Sequence, residues 1–295
     1  MSSAAADAPP TDADTTPTVA EVSALLDAMF PPAWAEEWDR VGLVVGEPSA
    51  PVRHVAFVVD CVADTVEEAV AAGADLIVAH HPLLLRGVSS VAATTAKGRV
   101  VHRLIRAGIA LHVAHTNADR ANPGVSDALA RRLGLVDLRP LRPMAAAGLD
   151  GSGRGAGRVG QLEEPVTLAE FAAHAARVLP PTAGGVRAAG DPDRLVTTVA
   201  VCGGAGDGYL RDACDAGVDA YLTADLRHHP ASEHLADGGP ALLDAAHWAT
   251  ERPWLDEVAA ALRAASGLAT TVSDLDTDPW SRHVPSVPTV KESSL

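Results

Sequence analysis

The 295-residue sequence predicts an α/β fold in which mostly parallel sheets are covered by helices. Short apolar runs, typical of strands buried on both faces, alternate with helix patterns that end at glycine. This rhythm returns in the second half of the chain. A shift of 144 residues pairs 55–75 with 199–219 and gives six identities in 21 ungapped positions. We therefore predict two similar α/β lobes from an internal duplication; the alternative is chance likeness between Ala-rich α/β units.

The first half of the chain reads as one helix followed by alternating strands and helices. Thr18 and Glu21 form a capping-box pattern that opens a helix, which ends near Phe30 before two prolines. The later predicted elements are strands at 55–59, 76–79 and 109–114 and helices at 64–72, 100–107 and 124–133.

A Gly/Ala-rich stretch at 142–157 has the composition of a linker. The second half then continues with helices at 168–179, 209–216 and 251–265 and strands at 196–202, 220–223 and 241–244. We expect five segments: a disordered tail (1–17), a first lobe (18–141), the linker (142–157), a second lobe (158–272) whose C-terminal helix is a candidate to pack on the first, and a loose tail (273–295).

The composition excludes several classes of protein. Asp and Glu outnumber Lys and Arg by 38 to 23, and the net charge of -15 argues against a general nucleic-acid binder. No apolar run approaches the roughly 18–20 residues that span a bilayer, and the acidic N-terminus has no secretory signal pattern. The 3 cysteines form no CxxC motif and no disulfide framework. We expect a soluble cytoplasmic protein with neither a membrane nor a nucleic-acid partner.

Two polar clusters directly follow neighbouring predicted strands. His80 and His81 follow the strand at 76–79, and His115 and Asp119 follow the strand at 109–114. Because the carboxyl ends of parallel strands share one sheet edge, these side chains should lie together. Two adjacent imidazoles suit two neighbouring metal ions. Asp119 is an oxygen ligand, a hydrogen-bond acceptor for a ligand, or a helix cap; His115 is a ligand, a hydrogen-bond donor near the site or a proton shuttle.

A third cluster, His247 and Glu251, follows the strand at 241–244. The spacing of four residues places both on one helix face, where the carboxylate could bridge two cations. The alternative is an ordinary surface His–Glu pair. Three histidines, an aspartate and a glutamate at three strand ends make a reasonable ligand set for a two-metal site, while the sequence has neither a P-loop nor a GxSxG motif.

Two other segments are weaker candidates. Trp38 and Asp39 precede a short apolar strand and either line the cleft or cap and pack. His228 and His229 follow the strand at 220–223, close to the duplicated position of the His80-His81 pair. We interpret this pair as contacting the substrate or supporting the ligands.

Six sequence segments resemble the NGG-interacting-factor-3-like dinuclear-metal proteins, often labelled GTP cyclohydrolase I type 2 homologues. They are WDRVGLVVG (38–46), VVDCVADTVEEAV (58–70), DLIVAHHPLLLRGV (75–88), HTNADRANPGVSDALARRLGL (115–135), LTADLRHHPA (222–231) and AHWATE (246–251). Arg40 and Ala246 depart from the usual Asn and Gly of the family. Neither departure removes a ligand.

The resemblance implies two similar lobes with the metal site in the cleft between them, and a toroidal homohexamer with its sites facing an inner cavity. It also implies His81 and Asp119 on one ion, His80 and His247 on the other, and Glu251 across both. His115 then lies near the site without being an assured ligand.

The primary functional hypothesis is a hydrolase that uses a metal-bridging hydroxide. Glu251, His115, His228 and His229 are its candidate catalytic residues, the histidines as proton carriers. The resemblance suggests a small-molecule substrate such as a nucleotide, with opening of the guanine ring of GTP as the reaction. Two divalent ions per subunit, of zinc, iron, manganese or nickel, suit the mixed ligands. The alternative is a non-catalytic metal-binding ring protein with a regulatory or partner-binding role.

Overall fold

A computed structural model describes residues 16–144 and 153–285. Residues 1–15 and 286–295 of the predicted tails, and residues 145–152 of the predicted linker, lie outside the described residues. The described chain forms two β-sheets with helices packed against them, which confirms the predicted α/β class. No described helix has the length and apolar character needed to cross a membrane.

The first sheet is built from the first half of the chain and the last strand. Its elements are α1 (Val19–Met29), β1 (Gly42–Val45), β2 (His54–Val58), α2 (Ala63–Ala71), β3 (Leu76–Ala79), α3 (Ala96–Ala107), β4 (Ala110–Val113), α4 (Thr116–Arg120), α5 (Val125–Arg132) and β11 (Ala269–Val272). The strand order is β1-β4-β3-β2-β11, and only the β1–β4 pair is antiparallel among the described pairs. The predicted capping box at α1 is present, because the amide of Glu21 donates to Thr18 Oγ1 and the amide of Thr18 donates to Glu21 Oε2.

The second sheet is mixed. Its elements are β5 (Val136–Pro143), β6 (Gly155–Thr167), α6 (Leu168–Val178), β7 (Val186–Ala189), β8 (Leu195–Ala205), α7 (Leu210–Asp215), β9 (Ala220–Ala224), α8 (His228–Ala236), β10 (Ala241–Ala245) and α9 (His247–Ser266). The order is β5-β6-β8-β9-β10-β7, with β8, β9 and β10 parallel and the outer strands antiparallel. The antiparallel strands β5, β6 and β7 were missing from the sequence prediction, since their polar and glycine-rich sequences lack a strand pattern.

The two segments that align in the sequence adopt the same strand pairing. In the first sheet Val55 pairs with Leu76, and in the second Val199 pairs with Ala220. Both partners are 144 residues apart, the same shift that aligns the sequences. This agreement is what a duplication predicts, and the lobe boundaries stay a prediction.

Helix α9 connects the two sheets. It begins at His247, four residues before the predicted start, directly after β10 of the second sheet. Its apolar side chains Trp254, Leu255 and Val258 pack in one core with α1, β2 and β3 of the first sheet. The helix therefore carries residues from the end of one sheet to the edge of the other.

A buried ion pair ties the β5–β6 hairpin to the first half of the chain. The guanidinium of Arg158 on β6 donates to both carboxylate oxygens of Asp127 on α5, at 2.8 and 2.6 Å, and to the carbonyls of Gly155 and Gly157 at 2.7 Å. Both side chains of the pair are almost completely buried. Removing one partner would leave the other charge buried without compensation.

We therefore expect Arg158→Met to lower the free energy of unfolding by about 3–5 kcal/mol, measured by urea denaturation. Arg139→Met, at an exposed position of the neighbouring strand β5, is the matched control and should change it by less than about 0.5 kcal/mol. Equal effects of the two substitutions would show that the buried pair does not hold the hairpin.

Candidate metal centre

Five side chains from three strand ends meet between the two sheets, and we call them the metal cluster: His80, His81, Asp119, His247 and Glu251. The two adjacent histidines follow β3, the aspartate lies on α4 after β4, and the last two residues lie on the first turns of α9 after β10. The carboxyl ends of parallel strands in both sheets therefore face one another, which is the usual place for a site in open α/β sheets.

The carboxylate of Glu251 is the centre of the cluster and is almost completely buried. Its Oε1 lies 3.5 Å from His80 Nε2 and 3.1 Å from His247 Nε2, and its Oε2 lies 3.1 Å from His81 Nε2. His81 Nε2 and His247 Nε2 are 3.2 Å apart. The i, i+4 spacing of His247 and Glu251 places both side chains on one face of α9, as the sequence predicted.

Each histidine of the cluster has its Nδ1 occupied by an oxygen outside it. The Nδ1 atoms of His80, His81 and His247 lie 2.9, 2.8 and 2.7 Å from oxygens. These oxygens belong to the carbonyl of Ala114 and the carboxylates of Asp60 and Asp225. An acceptor at Nδ1 assigns a proton to that nitrogen and turns Nε2 toward Glu251, where a metal ion can take the place of a second proton. Metal-binding histidines are oriented in this way.

Asp119 completes the cluster at the side of His80. Its Oδ1 lies 3.7 Å from His80 Nε2, while His81 and His247 form the closer pair on the other side of Glu251. The nearest neighbours pair His80 with Asp119 and His81 with His247, but Glu251 Oε1 faces His80 and His247 while Oε2 faces His81. The ion assignment that the family resemblance implied stays a prediction.

Two buried atoms of the cluster lack a hydrogen-bond partner among the described residues: His80 Nε2 and Glu251 Oε2. Buried polar atoms in proteins normally have a hydrogen-bond partner. A buried imidazole nitrogen and a buried carboxylate oxygen that both lack one therefore indicate a ligand site. Nitrogen and carboxylate donors suit zinc and other first-row divalent ions. The residues present therefore fit a metal site.

Charge in the cluster favours bound cations. Burial lowers the histidine pKa values, but Glu251 and the carboxylates at Nδ1 outweigh it and raise the pKa of His81 to about 10 and that of His247 to about 11. Burial raises the pKa of Glu251, yet the three imidazoles hold it well below its ordinary value. Burial also raises the pKa of Asp119. The cluster attracts positive charge, as protons or as metal ions.

Backbone at Gly204 makes room for Glu251. This residue ends β8 with φ +68°, and a Cβ placed there would lie 2.3 Å from Glu251 Oε1 and 3.0 Å from His247 Nε2. Its amide is held by Thr250 Oγ1 at 2.9 Å. This contact was not predicted, because the spatial neighbours of a glycine cannot be read from one sequence.

His115 lies beside the cluster, as expected of a residue near the site. Its ring centroid is 5.2 Å from that of His80 and 5.6 Å from that of His81. Its Nδ1 lies 2.9 Å from Asp39 Oδ1, and Asp39 Oδ2 also accepts from the amide and hydroxyl of Thr116. Asp39 is thus buried and orients His115, while Trp38 lines the cavity beside the cluster.

The structure does not bring His228 and His229 to the cluster. Both are exposed on the first turn of α8, and their rings contact each other. Neither lines the cavities described around the cluster. Asp225 of the same segment contacts the cluster instead, by accepting from His247 Nδ1. Asp60 was also missed, although it follows the strand at 55–59 and could have been found by the strand-end argument that found His80.

Two cavities open onto the cluster. One of about 500 Å³ is lined by His115, Asp119 and Glu251 together with glycines of β8. The other, of about 770 Å³, reaches His81 and His247 and is walled by residues 277–280 and 282–284. The described part of the predicted loose tail is therefore attached: Asp274 pairs with Arg252, and Thr277 Oγ1 donates to Asp60 Oδ2 at 2.5 Å.

Comparisons with known proteins identify a family that matches most of this chain. The family model described as Duf34/NIF3 (NGG1p interacting factor 3) matches residues 17–279. A Streptomyces coelicolor protein named "GTP cyclohydrolase 1 type 2 homolog" is 57% identical over 279 residues, covering 92% of this chain and 97% of its own. A Mycobacterium tuberculosis protein of the same name is 39% identical, covering 89% and 96%. The crystal structure of a Bacillus cereus protein related to NIF3 superposes with a TM-score of 0.83 at 26% identity, covering 90% and 99%.

Proton release should accompany metal binding. His81 and His247 have pKa values of about 10 and 11 without metal, so both hold a proton at neutral pH that a metal ion must displace. We expect zinc affinity to rise between pH 6 and 9, by about tenfold per pH unit for each proton displaced. Calorimetry in buffers of different ionisation enthalpy measures the release.

His228→Gln is the control for this measurement and should release the same number of protons as the unsubstituted protein. Zinc binding without proton release at pH 7 would contradict the geometry of the cluster.

Substitution at Gly204 should damage the site from the backbone side. Gly204→Ala places a methyl group against Glu251 Oε1, and we expect zinc affinity to fall by about 10–100-fold in a chelator competition. Gly208→Ala, in the same loop with open space around its Cβ, is the matched control. Equal affinities of the two variants would show that Glu251 does not take part in metal binding.

Proposed function

The chain belongs to the Duf34/NIF3 family, and from this premise we propose that it is a hydrolase dependent on two divalent metal ions. One observation carries the proposal: three imidazole Nε2 atoms and two carboxylates converge on one point, with each Nδ1 held from outside. Such a set of nitrogen and oxygen donors accepts zinc, iron, manganese or nickel.

The residues divide into two groups around a shared carboxylate. We assign His80 and His247 to one ion, His81 and Asp119 to the other, and Glu251 to both, because Glu251 Oε1 faces His80 and His247 whereas Oε2 faces His81. When bound, two such ions lower the pKa of a water toward neutrality and polarise the bond to be cleaved. The hydrogen bonds that His81 and His247 donate to Asp60 and Asp225 would keep the imidazoles oriented toward the ions.

His115 is the residue that moves a proton. Asp39 holds its Nδ1, so its Nε2 faces the cavity of about 500 Å³ beside His80 and His81. From there Nε2 can accept a proton as a bond is made and return it to a leaving group. The exposed pair His228 and His229 has no contact with the cluster, and we do not assign these residues a role in catalysis.

The substrate that we propose is GTP. Relatives covering most of this chain are named as homologues of GTP cyclohydrolase 1 type 2, and hydrolytic opening of the guanine ring is a reaction that a two-metal cleft serves. Three imidazole rings and Trp38 around the cavity provide flat surfaces for a purine. The homohexamer and the cytoplasmic location that we expected from the sequence belong to this proposal.

Glu251→Gln tests the hydrolase directly. It removes the charge shared by both groups with little change of shape, and we expect turnover of GTP to fall by about 100-fold or more in metal-loaded protein. Loss of GTP and release of formate measure the reaction. Phosphodiester and peptide substrates belong in the same screen.

Glu257→Gln on the same helix is the matched control, because Glu257 is a partly exposed side chain paired with Arg131. It should retain full turnover. Stoichiometric metal without turnover of any substrate would contradict the hydrolase and favour a metal-binding role.

A further inference from the structure

Helix α3 carries an isolated concentration of positive charge. Its sequence, AKGRVVHRLIRA, contains Lys97, Arg99, Arg103 and Arg106 and no acidic residue. The whole chain has a net charge of -15 and only two lysines, Lys97 and Lys291. Lys97 is thus the only lysine among the described residues. A basic helix in an acidic chain indicates an anionic partner.

The basic side chains border a groove between α2 and α3, which we call the α3 groove. Its volume is about 770 Å³. Apolar side chains line it from both helices, among them Val62, Val66 and Val100. At one end it reaches Asp60 and His81, so it leads to the metal cluster.

Three of the four cations in this groove, Lys97, Arg99 and Arg106, have no ion-pair partner within residues 16–144 and 153–285. Arg103 is paired with Glu67 through two hydrogen bonds of 2.6 and 2.8 Å. Lys97 and Arg106 are exposed and unpaired. Nine helical residues separate them, a length of about 14 Å. Their ammonium and guanidinium groups are donors left available to an extended anionic ligand.

Lys97 connects the groove to the reaction site. It lies in the first turn of α3 and lines both the α3 groove and the cavity of about 500 Å³ that holds His115, Asp119 and Glu251. A ligand that spans both cavities would place one end at the metal cluster and the other along the basic helix.

We propose that the α3 groove binds the phosphate groups of a phosphorylated small-molecule substrate whose reacting end lies at the metal cluster, with Lys97 as a substrate-binding residue. This inference rests on the proposed function and extends it to the residues that hold the phosphate groups of the substrate. Several cations spread along a helix match several anionic oxygens, and the apolar wall accommodates an organic body. A polynucleotide is disfavoured because the rest of the acidic surface would repel it.

Inorganic triphosphate is the probe that separates this groove from the metal ions. Its binding is measured by calorimetry with the protein as purified and again after chelator treatment. We expect binding to persist without metal, to weaken as ionic strength rises, and to become about tenfold weaker in Lys97→Met. Glu67→Gln removes the partner of Arg103 and should strengthen binding severalfold.

Arg53→Met is the matched control, because this exposed arginine precedes the amino end of β2 and does not line the α3 groove. It should leave the affinity unchanged. Three results would each overturn the proposal. They are equal triphosphate affinity of the Lys97→Met and Arg53→Met variants, complete loss of binding on metal removal, and a Lys97→Met substitution that changes only the oligomeric mass of the protein. Lys97-dependent binding in a protein without turnover would retain the phosphate site and reject only the hydrolase.

Discussion

The site depends on one energetic constraint, the burial of the Glu251 carboxylate. A carboxylate removed from water is strongly destabilising unless positive charge and hydrogen-bond donors surround it. Three imidazoles lie within 3.5 Å of its oxygens, yet His80 Nε2 and Glu251 Oε2 have no hydrogen-bond partner in the described part of the chain. Bound cations would satisfy the carboxylate and the imidazole lone pairs at once. The metal site and the packing of α9 are thus parts of one arrangement.

Two sheets are needed to build this arrangement, because neither provides the full set of ligands. The first sheet supplies His80, His81 and Asp119 at the ends of β3 and β4. The second supplies the start of α9, whose later turns then pack on the first sheet. The helix fixes the distance between the sheets through apolar contacts that begin at Trp254, whose ring centroid lies 5.3 Å from that of His80. Contacts in the core, rather than in the site, therefore hold the two halves of the site together.

Prediction from sequence succeeded where a residue's position along a strand decided its place. His80, Asp119 and His247 each follow a buried apolar strand, and the shared edge of parallel strands brought their groups together. It failed where contacts come from neighbours distant in sequence. Asp60 and Asp225 each orient a histidine that follows the neighbouring strand of the same sheet, and the position of His228 was misjudged because α8 exposes its imidazole to solvent. The antiparallel hairpin β5–β6 was missed since the linker composition concealed its strands.

The central claim is that two divalent ions occupy the metal cluster. The most direct test is a crystal structure of protein purified without chelators, with anomalous scattering recorded on both sides of the absorption edge of the metal present. The account predicts two anomalous peaks, one beside His80 and His247 and one beside His81 and Asp119, with Glu251 between them. A metal-loaded crystal that shows no peak within ligand distance of Glu251 would contradict it.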